Sequence, residues 1–151
     1  MKPRANPYAR LELVRPLIEY GQMIQGRLEP SLAHLVEIRA SQINGCAVCL
    51  AMHTQEASKA GESEERITML DAWRETPLYT DRERAALGWT EALVKLSDSR
   101  APDEAYAAVE AQFNETERVN LTLMVGVIMS FNQLGVGFRV RPPVGAAKAA
   151  A

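Results

Sequence analysis

The feature that most limits the fold of this chain is the spacing of its apolar residues. They recur three and four positions apart along most of the length, and strand-like alternation is scarce. Proline, glycine and capping residues cut this pattern into segments. Pro7 can open a first helix running to about Gln25, with Leu11, Val14, Leu17, Ile18 and Met23 facing inward and Pro16 able to bend it. Gly26 ends it. Pro30 suits the first turn of a second helix, which runs through about Gln42 and buries Leu32, Leu35, Val36 and Ile38. Asn44-Gly45 marks a turn, and a third helix runs from about Cys46 until Gly61 closes it. A fourth spans about Ser63 to Arg74 and stops before Thr76-Pro77. Thr80 and Glu83 have capping-box spacing before a fifth, with Ala85, Leu87, Trp89, Leu93 and Leu96 inward. Pro102 starts a sixth, and Asn114 with Glu117 precedes a long apolar one. The expectation is a single all-α domain over 1–151, a bundle of about six or seven helices. Its core covers about 8–139, and residues 140–151 form a loose tail with little to bury.

Length and charge narrow the function. A chain of 151 residues is a common single-domain size and buries roughly 68–70% of its unfolded surface, so it needs no metal or disulfide merely to fold. Lys and Arg number 17 against 19 Asp and Glu, and aromatics reach 6%. No basic stripe or stacking platform for nucleic acid follows, and no polybasic membrane patch. Small-molecule chemistry or a protein partner is left. Between Arg118 and Arg139 lie 20 residues without a formal charge, long enough to span a bilayer. Asn120, Thr122, Ser130, Asn132 and Gln133 interrupt them, so a helix buried on most sides is expected instead. The opening Met-Lys-Pro-Arg-Ala-Asn-Pro lacks the apolar core of a signal peptide, and a cytoplasmic location is expected.

Both cysteines and both histidines fall between His34 and His53. Cys46, Cys49 and His53 stand at i, i+3 and i+7, on one helix face. A Cys-x-x-Cys pair in a cytosolic chain has the spacing of a reversible disulfide. Thiolate is the reactive form, and a turn just before Cys46 puts the sulfurs in a first helical turn, where free N–H groups and the helix dipole favour negative charge. His53 can accept or return a proton. His34 and Glu37 lie one turn apart on the preceding helix and reach the cysteine face if that helix folds back across the turn. Three blander readings compete. The cysteines can be small core residues. They can hold zinc with the imidazoles, although no Cys or His follows residue 53 to complete a separate ligand pair. His34 and Glu37 can be ordinary structural residues, Glu37 pairing with Arg39 or another charge.

The stretch Arg39-Ala-Ser-Gln-Ile-Asn-Gly-Cys46-Ala-Val-Cys49-Leu-Ala-Met-His53 resembles the core motif of the alkylhydroperoxidase-D-like proteins of the carboxymuconolactone decarboxylase superfamily. The likeness continues through Thr54, Ala57, Gly61, Arg66, Leu70–Arg74 and Glu83–Leu87, covering about 8–139. It implies an all-helical fold, trimers or hexamers, and thiol-dependent reduction of organic hydroperoxides without metal, flavin or haem. Carried onto this chain, it makes Cys49 the attacking thiol, Cys46 the resolving one and His53 the proton-relay imidazole, with an external dithiol protein as reductant. Helix-terminus reasoning alone favours Cys46 as the attacking thiol; the spacing to His53 favours Cys49. The chain departs from the family pattern in three places. His34 stands twelve residues before Cys46 where a glutamate is usual, and the nearest glutamate is Glu37, nine before it. Val48 stands where some members have histidine, and Phe131-Asn-Gln-Leu-Gly135 replaces an aromatic-Asn-Arg ending. Either His34 stands in for the missing carboxylate or Glu37 reaches in from the next turn. Two other functions use the same cysteines: a disulfide oxidoreductase, and a redox or zinc sensor without peroxidase turnover. The superfamily's decarboxylases lack the cysteine pair, which argues against that activity.

Overall fold

The computed structural model describes residue 2 and residues 4–142, and every described element is helical. A 3-10 turn at Pro7–Ala9 leads into α1 (Leu11–Gln25). There follow α2 (Pro30–Asn44), α3 (Ala47–Lys59) and α4 (Glu64–Met69), the last running on as a 3-10 turn at Leu70–Glu75. The chain continues through α5 (Asp81–Val94), the single-turn α6 (Leu96–Ser99), α7 (Asp103–Gln112) and α8 (Glu115–Gly137). The all-α expectation holds, with eight α-helices among the described residues rather than six or seven. The additional one is α6, which forms because α5 ends at Val94.

Local chemistry explains most boundaries. Pro30 occupies the first turn of α2, where its missing N–H costs nothing. Capping boxes open α5 (Thr80, Glu83) and α8 (Asn114, Glu117), each satisfying two otherwise free N–H groups. Gly45 ends α2 with φ +64, a left-handed conformation that disfavours a Cβ.

Three helices differ from the expectations. Pro16 sits inside a continuous α1, whose inward residues are Val14, Gly21 and Ile24; Leu11 and Met23 are exposed. The apolar period is helical as expected, but its face is set by the close approach of α8: a Cβ on Gly21 would lie 3.0 Å from Val127. The 63–74 segment does not stay α-helical; it tightens at Leu70 and carries a non-helical Ala72, which lets Leu70 and Trp73 both turn inward. Leu96, expected on the inner face of α5, lies beyond its end and is exposed. Of the tail, Val140 donates its backbone N–H to Gly135 O and closes α8; residues 143–151 lie outside the described residues.

α2 and α8 carry the core. α2 buries every residue from Leu35 to Ser41 and packs on α3, α5 and α8. α8 is long and apolar enough to cross a membrane, yet Leu121, Met124, Val125, Val127 and Ile128 are buried as it packs against α1, α2, α3 and α5. Each such side chain removed from water contributes about 1.5–3 kcal/mol. Ser41, Asn44 and Asn132 tie the two helices together: Asn132 Nδ2 donates to Ser41 Oγ at 3.0 Å and Asn44 Nδ2 donates to Asn132 Oδ1 at 2.9 Å. This polar clasp sits beside the turn that leads to the cysteines.

Candidate active site

The site grows from that turn. The N–H of Cys46 completes the end of α2 by donating to Ser41 O at 3.0 Å, while its carbonyl accepts from Leu50 N at 2.9 Å and starts α3. Cys46 is therefore the N-cap of α3 rather than its first residue, and Cys49 stands in the first turn. The two are joined as a disulfide with Cα atoms 5.3 Å apart, within the range such a bond spans. Both are buried, at 1% and 3% exposure.

Their surroundings differ. Cys49 lines a cavity of about 430 Å³ together with Glu37, His53 and Glu56, and Ile128 and Phe131 of α8 form part of its apolar wall. Cys46 is absent from that lining and lies against Gly135, where an added Cβ would come within 2.5 Å of its sulfur. Cys49 Sγ would also lie 3.5 Å from that Cβ, so α8 covers both sulfurs, but only Cys49 borders the cavity.

His53 is buried at 5% exposure. Its Nδ1 lies 3.3 Å from Glu37 Oε2 and 3.1 Å from Glu56 Oε2, which leaves Nε2 buried without a hydrogen-bond partner among the described residues. Burial alone would push the Glu37 carboxyl up, but the neighbouring His34 and His53 imidazoles outweigh it and hold it below the ordinary carboxylate range. Burial would likewise lower His53, yet Glu37 and Glu56 raise it above the usual imidazole value. Gln25 Nε2, at the end of α1, donates to both Glu37 oxygens at 3.2 and 3.1 Å.

Of the two residues on α2 that could reach the cysteine face, Glu37 is the one that meets His53. His34 stands behind it, with Nδ1 3.5 Å from Glu37 Oε2, and is not among the cavity residues. Glu37 does not pair with Arg39 as the structural reading had it: Arg39 turns the other way, its Nε donating to Glu91 at 2.9 Å and its Nη1 bonding Asp71. Two participants escaped sequence reasoning. Glu56 was legible in principle, one turn beyond His53 on the same helix. Gln25 carries no local signal, because only the packing of α1 brings it to Glu37.

The all-helical fold and the Cys-x-x-Cys disulfide at the start of α3, beside a buried imidazole and carboxylate, fit the alkylhydroperoxidase-D-like class that the motif resembles. The chain belongs to the carboxymuconolactone decarboxylase family, whose model matches residues 12–92. It is 39% identical over 112 residues to the uncharacterized protein YdfG of Bacillus subtilis, covering 74% of this chain and 76% of that one. Among solved structures, ATU0492 of Agrobacterium tumefaciens is similar with a TM-score of 0.91 and 40% identity, over 95% of this chain and all of the other. Its function is unknown, and an AhpD-type antioxidant-defence role is suggested for it. An uncharacterized peroxidase-related protein of Silicibacter sp. TM1040 shares the fold, with a TM-score of 0.77 at 18% identity over 89% of this chain and 72% of that one.

Proposed function

We propose that this protein is a thiol-dependent peroxidase that reduces organic hydroperoxides through Cys46 and Cys49. The observation that carries the reading is the asymmetry of the pair: Cys49 shares a cavity with His53 and Glu37, while Cys46 is packed against Gly135 within bonding distance of it. In the reduced protein the Cys49 thiolate attacks the terminal oxygen of the hydroperoxide. The O–O bond breaks, the leaving alkoxide takes a proton from His53 and departs as the alcohol, and Cys49 becomes a sulfenic acid. The Cys46 thiol, giving up its proton, then attacks the sulfenic sulfur; the S–S bond forms and water leaves. Glu37 holds Nδ1 of His53, so that Nε2 carries the exchangeable proton. An external dithiol protein reduces the disulfide by exchange and closes the cycle. The apolar cavity wall suits a substrate with a hydrocarbon tail.

The relatives support the antioxidant part of this reading; the trimer or hexamer is what the family resemblance implies, with exposed apolar side chains such as Leu13 on α1 and Val119 on α8 available for the contact. Our reading puts the protein in the cytoplasm, where a dithiol reductant would be at hand. Cys49→Ser should abolish peroxide consumption. Cys46→Ser should complete the first reduction and accumulate a sulfenic acid that a dimedone-type reagent traps. Equal activity in the two variants would remove the proposal, and disulfide exchange without peroxide consumption would favour a dithiol oxidoreductase.

A further inference from the structure

His34-Leu-Val-Glu37 on α2 and His53-Thr-Gln-Glu56 on α3 repeat the same His-x-x-Glu spacing on two packed helices. At three residues apart, each imidazole and its carboxylate share one helix face. The fold brings both pairs to one point. His53 Nδ1 lies 3.1 Å from Glu56 Oε2 and 3.3 Å from Glu37 Oε2, and His34 Nδ1 lies 3.5 Å from Glu37 Oε2. Donor atoms of His34, Glu37 and Glu56 all lie within 4.8 Å of one another. Around a cation with bonds of about 2.1 Å, neighbouring donors stand about 3.0 Å apart in an octahedron and about 3.4 Å apart in a tetrahedron. The three ion-pair contacts, at 3.1, 3.3 and 3.5 Å, stand close to those values, and the wider spread among His34, Glu37 and Glu56 closes as an ion draws the donors in.

From this geometry we propose that His34, Glu37, His53 and Glu56 form a binding site for a divalent transition-metal cation, with no part played by the cysteines. A second observation points to a ligand. His34 Nδ1 is fully buried and has no hydrogen-bond partner among the described residues, although it is aimed at Glu37. A cation would satisfy that nitrogen. Helical bundles build metal sites from such i, i+3 imidazole and carboxylate pairs on facing helices. Gln25 donates to both Glu37 oxygens and fixes the carboxylate's orientation, the kind of support that metal-binding carboxylates receive. Glu56 is 44% exposed and, with Glu37 and His53, borders the cavity, so an ion and its water ligands have a way in. Two nitrogens and two carboxylates select zinc, manganese or iron over magnesium or calcium. An ion here would withdraw Glu37 and His53 from proton transfer. That consequence rests on the function proposed above, whereas the ion site itself does not.

The test is calorimetric titration of zinc chloride into the disulfide form, in which no thiolate is available. One zinc per chain should bind. His34→Ala and Glu56→Gln should each weaken binding at least tenfold, the Cys46→Ser/Cys49→Ser double variant should bind within twofold of the parent, and magnesium should bind far more weakly than zinc. Circular dichroism checks folding; Glu56→Gln, on the open side of the cluster, keeps the test decisive if His34→Ala unfolds. Absence of saturable binding to the disulfide form, affinity unchanged by Glu56→Gln, a need for reduced cysteines, or magnesium binding as tightly as zinc would each overturn the proposal. None of these readouts involves peroxide.

Discussion

A methyl group on Gly135 would sit 2.5 Å from Cys46 Sγ and 3.0 Å from Val48 Cγ1, so this one position sets how closely α8 can cover the disulfide. Gly135→Ala must push α8 or α3 aside; it should lower stability by about 1–3 kcal/mol, read as a shifted urea midpoint of the oxidised protein. Glu37→Gln keeps the shape but removes the charge beside His53. The variant should consume hydroperoxide about ten- to a hundredfold more slowly at a single turnover, and an unchanged rate would take Glu37 out of the relay. At this scale Cys46, Cys49 and His53 are legible from spacing, because they are rare residue types set on successive turns, and Glu37 is legible as one of two candidates on the preceding helix. Gln25 and Gly135 are not: what matters about each is a side chain more than ten positions away.

Along the elements, the short link between α2 and α3 does the positioning. Gly45 alone separates Asn44 from the N-cap Cys46, and it does so at positive φ with open space where a Cβ would go. Gly45→Ala meets no clash, so its cost is conformational: about 1–2 kcal/mol of stability, measured by denaturant unfolding, with the disulfide still able to form. Turn and cap signals such as Asn44-Gly45, Thr80 with Glu83, and Pro30 are chemistry within a few residues, which is why the boundaries they mark are readable in the sequence. The inward face of α1 is not so marked. Apolar residues line it on several sides, and burial of Ile24 rather than Met23 follows from where α8 lies.

For the molecule as a whole, Glu91 of α5 ties distant segments together. It accepts from Arg39 Nε of α2 at 2.9 Å, Trp73 Nε1 at 2.8 Å and Arg74 Nη1 at 2.6 Å. Burial would raise this carboxyl, but hydrogen bonds from Trp73 and Arg74 and the charges of Arg39 and Arg74 hold it below its ordinary value of 4.5. A carboxyl whose pKa is depressed by folding stabilises the native state above its unfolded value, and that contribution is lost as pH falls through the folded one. The protein should therefore lose stability progressively below about pH 4.5, and Glu91→Gln should be less stable at neutral pH and show a shallower acid decline in urea unfolding across the same range. By itself the sequence determined that the chain is helical, where most helices start and stop, and that its cysteines and histidines gather in one window from His34 to His53. All of these depend on residues near one another in the chain. Only the tertiary structure decided that Glu37 rather than His34 meets His53, that Cys49 borders a cavity while Cys46 does not, and that Glu56 and Gln25 join them. Those outcomes depend on how α1, α2, α3 and α8 pack, and close packing is a property of the assembled chain that no local spacing encodes.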